Sequence, residues 1–256
     1  MIDFRCAPAV CLLAAGLASA QPQPPGSALS HGQSAGPAAQ TSPPAGSREG
    51  EARAASSDLR AQALFEAMLI TYAKDHDFRV RFTETPFSRA AGDGPAESGI
   101  VVFKRPGFWR WEYRSPEPKI VILRDGVATL KIEGDSEVSH YRLAGEAGTA
   151  GETNGVGALL AGGQELSRRF VASFEPRGRE GEPVLRLDPV SLSDEFDHIV
   201  VRLGVDDLRI RELIVEDPGG NRLRFDFDRF EPNFGASDEL FKIPADDPGR
   251  GPGRTP

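Results

Sequence analysis

Cysteine is almost missing from this chain: two in 256 residues, Cys6 and Cys11, both near the N-terminus. If that end is removed on export, no disulfide framework and no thiolate metal site can form, and core burial alone must hold the fold. Histidine is nearly as scarce. His31, His76, His140 and His198 stand far apart, and no HExxH, GxSxG, P-loop or dinucleotide fingerprint occurs. Asp135 to His140 mixes acid, serine and histidine in one polar turn, and Asp206, Asp207, Asp226 and Asp228 alternate with arginines as a solvated sheet face does. The chain also lacks a basic cluster. Its formal charge is −8, and its arginines alternate with acids, which excludes the Lys/Arg face that a phosphate backbone requires. These absences lead us to expect no enzyme activity, no metal, no cofactor and no nucleic-acid partner.

Long apolar runs are lacking too, with one exception. Residues 1–20 carry Arg5, an apolar stretch from Ala7 to Leu17, and Ala18-Ser19-Ala20 as a small-residue cleavage site. The stretch is short of the roughly 20 residues that span a bilayer. We therefore expect a signal peptide cut after Ala20 and a periplasmic protein. Residues 21–56 are rich in Pro, Gly, Ala, Ser and Gln, and residues 245–256 repeat that composition, so both are expected to be disordered.

What remains, residues 57–244, reads as one ordered domain. Ser56 and Ser57 are candidate N-caps for a helix bearing Leu59, Ala63, Leu64, Met68 and Tyr72 at helical spacing. The period then changes to two. Phe78, Val80 and Phe82 alternate with Arg79, Arg81 and Thr83, and strands of similar pattern follow through "GIVVFKR", "FWRWEYR", "KIVILRD", "VATLKIEG" and "EVSHYRL". Residues 154–170 interrupt them with Val156, Leu159, Leu160, Leu166 and Phe170, an apolar helical element that Gly162-Gly163 should break. Strands resume from Phe170 and end in a hairpin around "DPGGN". The fold class is mainly β with α: an antiparallel sheet of about ten strands that must curl, its concave face plugged by short helices. A tight plug makes a core, and a loose one leaves an apolar pocket.

One residue breaks the pattern. Val101, Phe103, Arg105, Trp109, Trp111 and Tyr113 share one strand parity, so Arg105 belongs to the greasy side. Two accounts stand side by side. Its stem can lie on the tryptophan rings with its head in water, or its five donors can reach across the cavity mouth to backbone carbonyls of the mobile helix and latch it.

The series Gly99, Lys104, Arg105, Pro106, Trp111, Pro118, Asp125 and Gly126, with the "LRIRELIVEDPGGNRLRFDF" hairpin and "ELFKIP", resembles the periplasmic outer-membrane lipoprotein carriers, the LolA family. The resemblance implies an unclosed β-barrel, or half-barrel, capped by short helices around an apolar cavity for the acyl chains of lipoproteins. It implies that Arg105 matches the family's lid-binding arginine and that Trp109 lines the cavity. The candidate ligand-binding set is Arg105, Trp109, Trp111, Phe103, Val101, Phe78, Phe82, Leu159 and Leu160. Expected partners are acylated lipoproteins, an inner-membrane lipoprotein-releasing transporter and an outer-membrane lipoprotein receptor, served by a monomer. A periplasmic lipid-sensing regulatory protein or a general lipid-transport protein on the same fold is the alternative.

Overall fold

Ala, Glu, Arg and Leu are strong helix formers, and they dominate the chain on both sides of Ser56. Accordingly helix α1 spans Ala45–Ala73 and passes through Ser56 and Ser57 without stopping. The expected caps are therefore interior residues, and the helix starts inside the stretch assigned to the spacer. The computed structural model describes residues 45–142, 156–176, 181–191 and 196–243, with α1 side chains from Ser56 onward. The leader, residues 21–44, Gly155 and the expected tail lie outside those.

The buried stripe of α1 is Ala61, Phe65, Met68, Leu69 and Tyr72. Leu59 and Ala63, expected on that face, are exposed. At about 100° per residue they fall some 140° and 180° around the helix from Tyr72, which leaves them on its far side. Gln62 fixes α1 against the sheet. Its Nε2 donates to the Ser167 carbonyl at 3.2 Å, and its Oε1 accepts from the Ala172 N–H at 3.0 Å.

Among the described residues twelve strands form one antiparallel sheet. The first seven are β1 (Asp77–Ser88), β2 (Gly92–Asp93), β3 (Glu97–Lys104), β4 (Phe108–Ser115), β5 (Lys119–Arg124), β6 (Val127–Ile132) and β7 (Val138–Arg142). After helix α2 (Val156–Ala161) and a 3-10 turn (Gln164–Arg168) come β8 (Phe170–Phe174), β9 (Val184–Pro189), β10 (His198–Leu203), β11 (Ile210–Glu216) and β12 (Arg222–Pro232). The order is β7-β6-β5-β4-β3-β1-β12-β11-β10-β9-β8, with the two-residue β2 attached to β1. One meander thus runs outward from β1 to β7, and a second returns from β8 to β12, which pairs with β1 in the middle. Among the described residues the edges β7 and β8 do not pair, which leaves the sheet an open half-barrel.

Inward residues of both meanders join α1 and α2 in a single apolar cluster on the concave side. A smaller cluster lies outside. Phe241 and Ala236, on the segment after β12, fold back over Val102 and Ile122, with Phe234 and Phe108 packed beside them. Among the described residues no helix is long and apolar enough to cross a membrane.

Candidate functional site

Arg105 follows the last residue of β3, where its N–H donates to the His76 carbonyl at 2.9 Å. That bond turns its side chain toward the ends of both helices. Nε donates to the Asp75 carbonyl at 2.8 Å, and Nη2 donates to the Tyr72 carbonyl at 3.1 Å and to the Ala161 carbonyl at 2.7 Å. Tyr72 and Asp75 close α1, and Ala161 is the last residue of α2. Helices end in carbonyls without intrahelical partners, and a guanidinium presents its donors in a fork that can meet several at once. Of the two sequence accounts, the geometry is that of the latch. The guanidinium carbon also sits 5.4 Å from the centre of the Phe103 ring. Partial burial lowers the Arg105 pKa below the usual arginine value, with Asp75 opposing.

The break after α2 fits the same place. Gly162 has φ +69, and a Cβ there would stand 2.6 Å from the Leu69 carbonyl oxygen and 2.8 Å from the Tyr72 Cβ. Only glycine meets both the left-handed turn and this close approach of α2 to α1. Gly163, with φ +128, completes the break. All six residues of α2 are buried, including Leu159 and Leu160.

A buried ion pair, absent from the sequence reading, fixes α1. Arg209, in the turn between β10 and β11, donates to both Asp75 carboxylate oxygens, at 2.5 and 3.1 Å. Its guanidinium also lies 4.2 Å from the centre of the Phe230 ring and 4.8 Å from that of Tyr72. The Tyr72 hydroxyl in turn accepts the Ile210 N–H at 3.0 Å. Asp75 therefore serves two arginines, Arg209 with its carboxylate and Arg105 with its carbonyl. The end of α1 is bonded to both meanders, whereas Ala161 alone links α2 to Arg105.

Below the latch the remaining candidates come together. Phe78, Phe82, Val101, Phe103, Trp109, Trp111, Leu159 and Leu160 are all at most 2% exposed and belong to one cluster. Their rings interlock: Phe103 lies 4.5 Å from Trp109, Phe78 5.2 Å from Phe103, and Phe82 5.2 Å from Trp111. Further along β1 the apolar face ends in a carboxyl group. Glu84 is fully buried, its Oε2 accepts the Tyr113 hydroxyl at 2.9 Å, and its Oε1 has no partner among the described residues. Beside it Lys119 donates to both oxygens of Glu97, at 2.7 and 2.9 Å, and stands 4.3 Å over the Tyr113 ring. Burial is the main cause that pushes the Glu84 pKa up to about 7, with Glu97 adding to it and the Tyr113 hydrogen bond and Lys119 opposing. Glu84 continues the parity of Phe78, Val80 and Phe82, so the signal was present.

A cleft of about 460 Å³ lies on the opposite, convex face, where Arg81, Ser98, Arg114 and Asp228 line it beside Ile100 and Phe227. Among the described residues no cluster of three or more His, Cys, Asp or Glu side chains could hold a metal ion. His76 and His140 are exposed, and His198 bonds Asp197 at 2.9 Å.

The conserved profile described as "Outer membrane lipoprotein carrier protein LolA" matches residues 74–244. The chain belongs to this family. The outer-membrane lipoprotein carrier protein of Cupriavidus necator is 26% identical over 169 residues, covering 64% of this chain and 76% of that protein. Its counterpart in Cupriavidus pinatubonensis is 28% identical over 137 residues, covering 53% of this chain and 60% of that protein. That of Dechloromonas aromatica is 28% identical over 177 residues, covering 66% and 80%. Among solved structures, a LolA superfamily protein of Nitrosomonas europaea superposes with a TM-score of 0.40 at 12% identity, covering 72% of this chain and 97% of that one. The Pseudomonas aeruginosa MucA/MucB complex gives the same TM-score and identity, covering 72% of this chain and 61% of its own. Within the LolA-matched region fall Arg105, α2 and every candidate residue named above.

Glu84 makes stability depend on pH. Its folded pKa of about 7 lies above the ordinary 4.5, so its charged form is disfavoured in the fold. Stability is therefore lost as pH rises from the unfolded value through the folded one, by about 3 kcal/mol in total. Denaturant unfolding of Glu84→Gln should show a gain of about 2–3 kcal/mol at pH 8 and little change at pH 5. The same shift at both pH values would contradict a buried, titrating carboxyl group.

Proposed function

We propose that the protein is a periplasmic carrier that binds the acyl chains of lipoproteins beneath α2 and shuttles them from the inner membrane to the outer membrane. One observation carries this reading: an arginine on the apolar parity of a strand bonds the last carbonyl of a short, fully buried helix. Such a helix is a lid held over an apolar interior by packing that an occupant can replace and by one polar bond that favours closure. The family membership and the relatives' name, outer-membrane lipoprotein carrier protein, support the same role. The reading is one of binding and release without catalysis.

The energetics suit a shuttle. Each CH₂ withdrawn from water is worth about 0.8 kcal/mol, so a single acyl chain brings on the order of 10 kcal/mol. A carrier that kept all of that would never discharge. Closing α2 restores the Arg105–Ala161 bond and the packing of Leu159 and Leu160, and so favours the emptied state. In this account the leader directs export, a transporter in the inner membrane loads the interior, and a receptor in the outer membrane empties it.

The test is transfer. Protein recovered from the periplasm should carry triacylated lipoprotein in near-equal amount by mass spectrometry. Arg105→Leu should remain folded and loaded, yet discharge to outer-membrane acceptor at least about tenfold more slowly, the consequence of losing roughly one charge-assisted hydrogen bond from the closed form. Wild-type discharge by Arg105→Leu would refute the latch, and recovery of free phospholipid alone would refute the lipoprotein cargo.

A further inference from the structure

We propose that the interior recognises the carbonyl groups of ester- or amide-linked acyl chains, and not only their alkyl tails, through the indole N–H groups of Trp109 and Trp111. The proposal rests on the acyl-carrier reading above and specifies which part of the ligand the site selects.

Strand β4 turns Trp109, Trp111 and Tyr113 to the same inward face at two-residue spacing, about 7 Å from one to the next. Each has a polar atom on an aromatic body. The Tyr113 hydroxyl donates to Glu84 at 2.9 Å. The two indole nitrogens, in side chains 1% exposed, have no hydrogen-bond partner among the described residues. A buried indole N–H ordinarily finds an acceptor, and its lack is a free-energy cost that packing alone does not recover. The surroundings supply none. Trp109 lies against Phe103 at 4.5 Å and Phe78 at 6.0 Å, and Trp111 against Phe82 at 5.2 Å and Phe225 at 5.8 Å.

A third unpartnered polar atom, Glu84 Oε1, ends the same face. Trp109 and Trp111 belong to the apolar cluster that α1 and α2 join, and Glu84 meets it through the Tyr113 hydroxyl. An interior meant for alkane would carry phenylalanine at these places, since phenylalanine offers similar packing without an N–H. What two N–H donors in an apolar space fit is a neutral acceptor. An ester or amide carbonyl is a strong one, an ether oxygen a weak one, and an alkyl chain none. A charged headgroup is disfavoured, because Lys119, the buried cation nearest Glu84, is engaged by both oxygens of Glu97.

The experiment compares two ligands on the full chain: dimyristoylglycerol and its diether counterpart ditetradecylglycerol, matched in chain length but lacking both carbonyls. Affinities are read by displacement of a bound fluorescent dye. Wild type should bind the diester about tenfold or more tightly than the diether, the worth of one to two hydrogen bonds. In Trp109→Phe/Trp111→Phe that ratio should fall to within about twofold, through loss of diester affinity alone. A second readout needs no variant. The nitrogen-labelled indole resonances of wild type should move downfield with the diester and stay in place with the diether. Equal affinities with unmoved indole resonances would overturn the carbonyl readout and leave the carrier reading standing. Binding of neither ligand would overturn both.

Discussion

The guanidinium of Arg105 holds the C-terminal ends of two helices at once, and the closed form of the molecule depends on that sharing. A twelve-stranded open sheet has a concave face far larger than a six-residue helix can cover by packing alone. Bringing α2 down on that face leaves its terminal carbonyls without partners, beside those of α1. One fork of donors answers both ends, and Gly162 lets them come close enough to be answered together. Every other device in the region supports this meeting point. Asp75 joins Arg209 to the end of α1, Tyr72 takes the Ile210 N–H, and the His76 carbonyl sets the backbone of Arg105 itself.

The division of labour between the two helices follows. The α1 helix is bound to β8 through Gln62, to the β10–β11 turn through Asp75, and to β3 through Arg105. Among the described residues the α2 helix has apolar packing, one glycine contact and one bond from Arg105. Packing is what an acyl chain can replace, methylene for side chain, while a directional hydrogen bond is what it cannot. That asymmetry makes α2 the element that yields and α1 the frame it closes against. Beneath them the aromatic floor is not uniformly oily, since β4 and β1 bring polar atoms to it at regular intervals. The interior thus holds polar atoms as well as apolar surface.

Much of this could be read from residues alone, and the limits of that reading were physical. The period-two stretches pointed to about ten strands where the sheet has twelve; β2 escaped because two residues cannot show alternation. The Gly162-Gly163 break was visible because glycine is costly within a helix. Arg105 stood out because parity set it among Phe103 and Trp109. The start of α1 was placed too late, since Ser56 and Ser57 resemble caps while the alanines and glutamates before them extend a helix equally well. Its buried face was misjudged at Leu59 and Ala63, because short apolar spacings fit more than one stripe. Asp75 and Arg209 gave no signal. They are 134 residues apart and meet only because the two meanders return to the same end of α1.

Amide hydrogen exchange, with and without a bound diacylated ligand, tests the central claim most directly. If α2 is the lid and α1 the frame, ligand should raise exchange across residues 156–162 by about tenfold or more while residues 61–73 stay within about twofold of the empty protein. The Gly162 amide, which donates to the Ala158 carbonyl at 3.1 Å, is the most telling single probe. Equal exchange in both helices, or protection of 156–162 by ligand, would contradict the account, because the occupant would then bind without displacing the helix that Arg105 holds.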